Sequence, residues 1–401
     1  MMKRYKPWSR FCLLVLLALS VQGCFGIGDN NSSNTAPINT GTGHQVNVTQ
    51  NVFKGKLYFT IDRNLWMLDG TTSKTLQLTK GKDVRDPAVS PDGKWIAFII
   101  RSKNSSDLVY ISTSGGPIHT LLSGQGKFYS DGPFTKSTHN WFAQPAWAED
   151  SKSLIFLSDL QKDFFWSSLG GFFQEAPFLD MQVFSIPLVN PPSKDVITSS
   201  NAVAYANYGD GGDRDPGYRP HHPTEIVYTH YAYDATGTNQ VIQIFLEDAT
   251  AIARHPGKYY PGYDPGVAVT PDKVENIQPA FSPDGNSIAY IRREDDGQIG
   301  LYIMPVPDGV TDNPNDPEVI KKALLPYQQS TLIQKQQFVS QPAWSPDGKQ
   351  IAYLAYNNQT FDIWLANLNF NAQTGKYSMK GNPIQLTTGG IDGDSRPFWT
   401  P

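Results

Sequence analysis

The chain has 401 residues and a net charge of -4, with 37 acidic and 33 basic side chains. Four of its cations (Lys3, Arg4, Lys6, Arg10) stand in the first ten residues, so a mature chain starting at Cys24 would carry about -8, which argues against nucleic-acid binding through a basic surface. Aromatic residues at 12%, 34 Gly, 30 Pro and only 17% charged residues suit a turn-rich all-β protein, and both cysteines (Cys12, Cys24) fall in the first 24 residues, leaving no disulfide, cysteine–zinc site or thiol nucleophile beyond them.

The basic start is followed by an apolar run, FCLLVLLALSV from Phe11 to Val21, too short to span a bilayer and readable as the core of a secretion signal. It ends in VQGC. This resembles the bacterial lipobox, with a branched aliphatic at Val21, a small residue at Gly23 and an acceptor at Cys24, although Gln22 is a less usual occupant of its position. Residues 1–23 are expected to be removed, and diacylation of the new N-terminus would hold the product at a membrane surface. Residues 24–52, rich in Asn, Ser, Thr and Gly, are expected to form a flexible tether.

From residue 53 onward one unit recurs. It reads DPAVSPDGKWIAFI from Asp86, QPAWAEDSKSLIFL from Gln144, QPAFSPDGNSIAYI from Gln278 and QPAWSPDGKQIAYL from Gln341, with a degenerate copy, RPHHPTEIVY, at Arg219 and a partial one, RPFWTP, at Arg396. The anchor prolines (Pro87, Pro145, Pro220, Pro279, Pro342, Pro397) lie at intervals of 58, 75, 59, 63 and 55 residues, a period that signals a repeat architecture. Ser-Pro-Asp-Gly joins two apolar runs: Pro sets φ, Asp bonds local backbone and Gly accepts a positive φ, which makes a hairpin. The strand after the turn is almost continuously apolar and should be covered on both faces. A third strand follows each hairpin (LVYIS from Leu108, LYIMP from Leu301), and PIHTLL from Pro117 and PIQLTTG from Pro383 read as fourth strands. GKLYFT, NLWMLD and TLQLT from Gly55 supply three strands lacking a first, which RPFWTP would complete. The expected fold is therefore all-β, a six-bladed β-propeller of four-stranded blades over residues 53–401, closed by pairing of N- and C-terminal strands.

These repeats resemble the TolB-type propeller family, whose signature is a proline, an aromatic and SPDGK before an IAY-like strand; it stands in full from Pro342 to Tyr353. The resemblance implies the propeller fold and, as a type of role, protein binding at the cell envelope. In the family's namesake an α/β domain precedes the propeller, and here a lipid tether takes that place.

Common catalytic motifs are missing: there is no G-x-S-x-G, no P-loop and no H-E-x-x-H. His139, His221, His222 and His230 cluster in the middle of the chain without a recurrent ligand spacing, so packing roles are expected and no metal or cofactor. The same holds for the aspartates of GDGGDRDPG (Asp210, Asp213, Asp215) and GIDGDSRP (Asp392, Asp394), which read as turn chemistry more than as calcium cages. Two surfaces are candidates for binding. Aromatics crowd the insertions, and Trp141, Phe142, Phe164, Phe165, Trp166, Phe172 and Phe173 form either a contact surface or a local core. The residues before the anchor prolines (Asp86, Gln144, Arg219, Gln278, Gln341, Arg396) are expected to be extended and to ring the channel mouth, holding an anionic or peptide ligand or else satisfying neighbouring backbone. The expectation from sequence is a monomeric, membrane-anchored binding module on the extracytoplasmic side of a cell or outer membrane, with an envelope protein, peptide or glycan as ligand and no nucleic acid; a propeller enzyme acting on polysaccharide or peptide, or a purely structural envelope protein, are the rivals.

Overall fold

Each Ser-Pro-Asp-Gly run forms the expected turn. Ser90 Oγ donates to Asp92 Oδ1 at 2.6 Å and accepts the Trp95 N–H at 3.0 Å, while Gly93, at φ 70°, donates its N–H to the Ser90 carbonyl at 2.8 Å. The Ser282–Asp284 and Ser345–Asp347 pairs repeat the arrangement at 2.5 and 2.7 Å. Behind each turn the second strand is buried on both faces, as at Ile96 to Ile99, Ile288 to Ile291 and Ile351 to Ala355.

The structure is a computed structural model that describes residues 35–131, 134–160, 180–188, 200–206, 209–260 and 263–401. The antiparallel sheets follow one another along the chain. The first comprises Val84–Val89, Trp95–Arg101, Ser106–Ser112 and His119–Leu122. The second comprises Phe142–Trp147, Ser153–Ser158, Gln182–Pro187 and Asn201–Ala204, and the third Asp213–Tyr218, Glu225–Tyr233, Gln240–Asp248 and Val267–Ala268. The fourth is Asn276–Phe281, Ser287–Arg293, Ile299–Pro305 and Thr331–Gln336. In the fifth, Val339–Trp344, Gln350–Asn357 and Thr360–Asn371 are joined by both Lys376–Met379 and Ile384–Gln385. A closing sheet combines Phe398–Thr400 with Lys56–Ile61, Asn64–Asp69 and Thr75–Gln77.

The expectation of six four-stranded blades is corrected by this count: the described residues form seven sheets of three or more strands, not six, and one sheet has five strands. The seventh consists of Thr35–Asn39, Gln45–Thr49 and Thr387–Thr388. It arises inside the stretch read as tether. The polar composition of residues 35–49 conceals a period of two, in which Ile38, Val46 and Val48 point into the same core as Leu354, Ile363 and Leu386. The Thr49 N–H donates to the Leu386 carbonyl at 2.8 Å, and the Leu386 N–H in turn donates to Ile363 O at 2.8 Å. The hairpin therefore lies along the outer edge of the fifth sheet and covers an edge that would otherwise be open to pairing.

Two devices stack the sheets around the axis. The indole of Trp147 donates to Ala88 O in the preceding sheet at 2.9 Å, and Trp344 repeats this on Ala280 O at 3.0 Å. At the closure Lys56, Leu57 and Tyr58 pair with Thr400, Trp399 and Phe398, while Trp399 donates to Lys54 O at 2.8 Å and packs edge-on against Phe53.

Candidate functional site

The inner strands of the first five sheets carry the same irregularity. Register shifts fall at residues 85/88, 143/146, 214/217, 277/280 and 340/343, and within each lies a residue and its following proline. The residues concerned, Asp86, Gln144, Asp215, Gln278 and Gln341, have φ between 47° and 56°. The expected extended conformation is thus replaced by a left-handed one at a β-bulge, where the strand kinks and re-aims a side chain. A non-glycine residue held there costs on the order of 1–3 kcal/mol, so the surroundings must over-determine it.

They do so by a relay from sheet to sheet. Asp86 accepts the Gln144 N–H at 3.3 Å, and Gln144 Oε1 accepts the Asp215 N–H at 2.6 Å while its Nε2 donates to Asp215 Oδ1 at 2.8 Å. Thr229 Oγ1 donates to Asp215 Oδ2 at 3.2 Å and accepts the Gln278 N–H at 3.1 Å, and Gln278 Oε1 accepts the Gln341 N–H at 2.7 Å. Asp86 also accepts the Arg396 N–H at 3.2 Å, and its own N–H donates to Ser395 Oγ at 3.0 Å. Most of these polar side chains satisfy neighbouring backbone.

Arg219 is not a member of the ring, and that expectation is corrected. The true counterpart is Asp215, followed by Pro216; the turn after Tyr218 is one residue longer than the turn after Val89, since Tyr218 pairs with Ile226 and Val89 with Ile96. Arg219 is buried among the turns, where Nε donates to Gly285 O at 2.7 Å, Nη1 to Glu225 at 3.1 Å and Nη2 to Asp308 at 2.6 Å. It clamps the third sheet to the fourth. Arg219→Gln should lower the melting temperature, since breaking a buried pair by removing one partner costs about 3–5 kcal/mol.

Arg396 does reach the axis. Its Nη2 donates to Pro145 O and its Nη1 to Pro216 O at 3.5 Å, carbonyls on the second and third sheets, while Nε is buried without a partner. Burial raises the pKa of Asp86 and of Asp215, with the Arg396 charge opposing it in both, and burial lowers that of Arg396. One guanidinium thus sits in the channel between two carboxyl groups. Beyond it, toward the Ser-Pro-Asp-Gly turns, opens a funnel of about 660 Å³ walled by Trp147, Tyr218, Phe281, Trp344 and Phe398, by Pro216 and by the anchor prolines Pro145, Pro279, Pro342 and Pro397. An apolar wall with a few convergent polar groups at its floor is the usual character of a ligand site.

The remaining candidates disperse. Phe142 is buried in the core against Phe156 and Trp141 is half-buried, while Phe164, Phe165, Trp166, Phe172 and Phe173 lie outside the described residues. His230 Nδ1 pairs with Asp213 at 2.9 Å, His221 faces Glu149 at 3.5 Å and His139 packs on Phe128. Asp392 accepts the Arg63 N–H and Asp394 pairs with Arg85. Among the described residues no group of three His, Cys, Asp or Glu could hold a metal ion.

Comparison with known proteins agrees on fold. No protein-family model matches the chain. A section of 157 residues is 27% identical to the Tol-Pal system protein TolB of Hahella chejuensis, covering 37% of this chain and 32% of that protein, so the match spans about a third of the curated relative's length. The crystal structure of TolB from Acinetobacter baumannii superposes with a TM-score of 0.53 at 15% identity, over 88% of this chain and 68% of that one. The body thus has a β-propeller fold similar to that in the TolB structure.

Proposed function

We propose that this protein is an envelope interaction module, anchored to a membrane through lipid on Cys24, whose funnel receives an anionic or peptide segment of a protein partner. The carrying observation is the funnel itself, an apolar cavity walled by the inner strands and floored by a guanidinium with an unpaired Nε. The similarity to TolB, named as a Tol-Pal system protein, supports an envelope setting. No helix among the described residues is long and apolar enough to cross a membrane, and in this reading the lipid supplies the attachment.

Two experiments test it. With a photo-crosslinking amino acid at Ala280, on the funnel wall, the membrane-bound protein should trap a discrete partner. Arg396→Gln should reduce that product at least tenfold, as expected for loss of a charge-assisted bond worth about 1.5–3 kcal/mol, whereas Arg219→Gln should leave the product intact. Equal trapping by the Arg396→Gln protein removes the funnel from consideration. Separately, Cys24→Ala should move the protein from the membrane fraction to the soluble one; retention through carbonate washing rejects the lipid anchor.

A further inference from the structure

The outer hairpin fixes where the chain enters the propeller. Its tip, near His44, meets Asp62 and the Gly389 carbonyl, so its open end, Thr35 paired with Thr49, lies at the opposite edge, the one that carries the Ser-Pro-Asp-Gly turns. From Thr49 the chain runs by Asn51 and Val52 into a cleft of about 1060 Å³ between the fifth and closing sheets, walled also by Pro346, Asp347, Lys54, Lys349 and Lys380. Ten residues separate Cys24 from Thr35, and a fully extended chain of that length reaches at most about 35–40 Å.

Two features of this rim are unusual for an acidic chain. Six exposed lysines (Lys54, Lys56, Lys74, Lys349, Lys376, Lys380) gather on the turn-side ends of these two sheets. Acids stand beside them as well: Asp69 accepts the Thr71 and Thr72 N–H groups, Asp347 accepts from Ser345 Oγ and the Lys349 N–H, and Asp284 lies close enough to Tyr377 to act on it electrostatically; Pro401 also borders the cleft. Beyond Asn367, the last position in register with Gln350–Asn357, the strand runs on through Leu368, whose N–H still donates to the Lys349 carbonyl at 2.8 Å, to Asn371, and is paired there with Lys376–Met379. Near the end of this extension Phe370 is 56% exposed and rests on Tyr377, the neighbour of Lys376.

Resting on the lipid-anchor reading, we propose that this corner of the rim is the protein's membrane-contact surface: Phe370 enters the headgroup boundary and the lysines engage anionic lipid, so that the propeller rests on the bilayer by the outer ends of the fifth and closing sheets and the funnel mouth at the axis stays open to the partner. Aromatic side chains flanked by lysines favour that interface, and each lysine near an anionic surface contributes about a fivefold gain in binding. The occupant is the anionic bilayer that holds the anchor, because the tether ends at this rim and the charge there is opposite to that of the chain as a whole.

The test imposes the anchor chemically. The mature chain, whose single thiol is Cys24, is coupled to maleimide-bearing lipid in vesicles containing 30% phosphatidylglycerol, and lysine acetylation is followed by mass spectrometry. Lys54, Lys349, Lys376 and Lys380 should react at least fivefold more slowly than in uncoupled protein, while Lys103, in the turn at the opposite edge, is unchanged; 0.5 M salt should restore all four rates, and Phe370→Ala combined with Lys376→Gln and Lys380→Gln should restore those of Lys54 and Lys349. Equal rates at all five lysines, protection of Lys103 instead, or equal protection on pure phosphatidylcholine overturns the proposal. Because coupling does not depend on cellular lipidation, failure here is distinct from failure of the Cys24→Ala fractionation.

Discussion

Deleting Arg396 to Pro401 is expected to abolish cooperative unfolding. The six residues supply the inner strand of the closing sheet, pairing with Lys56, Leu57 and Tyr58, so their loss leaves Lys56–Ile61 as a bare edge facing the channel. Trp399 is 6% exposed and Phe398 packs between two core clusters; truncating a buried Trp alone costs about 3–5 kcal/mol. The deletion adds the loss of the Arg396 bonds to Pro145 and Pro216 and of the Ser395-to-Asp86 alignment. Together these approach the whole stability of an ordinary domain, about 5–15 kcal/mol. Urea unfolding followed by tryptophan fluorescence and far-UV circular dichroism should show non-coincident, broadened transitions, with aggregation through the open edges. Trp399→Ala is the milder comparison and should remain folded with a lowered midpoint. A deleted protein that melts at the parental temperature would refute closure by terminal strands.

The parts of this architecture legible in the sequence are those whose residue types have one local solution. Ser-Pro-Asp-Gly fixes its turn from inside, through the serine hydroxyl and aspartate, so it reads correctly wherever it occurs. The doubly buried second strands announce themselves by unbroken apolar runs. What escaped was controlled from outside the segment. Residues 35–49 are polar by composition, and only the neighbouring edge at Leu386 to Thr388 makes a sheet of them; a scan for alternation at Ile38, Val46 and Val48 was the available signal. The left-handed conformation of Asp86 and its equivalents depends on backbone partners in the next sheet, which no local rule supplies. Arg219 drew attention because Arg-Pro matched the last repeat, whereas aligning Asp215-Pro216-Gly217-Tyr218 with Asp86-Pro87-Ala88-Val89 and allowing one extra turn residue would have found the bulge.

Raising the pH from 5 to 8 is expected to destabilise the third sheet through acids that the sequence does not advertise, and Asp264→Asn should cancel part of that loss. Glu247, fully buried on the central strand of the sheet, accepts the Tyr228 hydroxyl at 2.8 Å, and the same hydroxyl bonds Asp264, whose other oxygen accepts the Tyr205 N–H at 2.8 Å. Asp213 stands nearby on His230. Burial first, and the neighbouring carboxyl groups second, push Asp264 up to about 6 and hold Glu247 well above the usual carboxylate range; burial likewise raises Asp213. Burial disfavours charge on His230, but the Asp213 bond and charge outweigh it and the imidazole titrates above its ordinary value. All four groups therefore bind protons more tightly in the folded state than in the unfolded one, so their contribution is full at low pH and is lost as pH rises through the folded values. For Asp264 the window runs from the ordinary value of 3.8 to about 6, a shift equivalent to roughly 3 kcal/mol. An asparagine retains an acceptor for Tyr205 and carries no charge. Calorimetry at pH 5 and pH 8 should show the parental protein losing several degrees across the interval and the Asp264→Asn protein losing fewer, with the variant the more stable of the two at pH 8. A variant less stable than the parent by the same amount at both pH values would mean that the ionised carboxylate is what the fold requires there, and that the cluster holds no proton at neutrality.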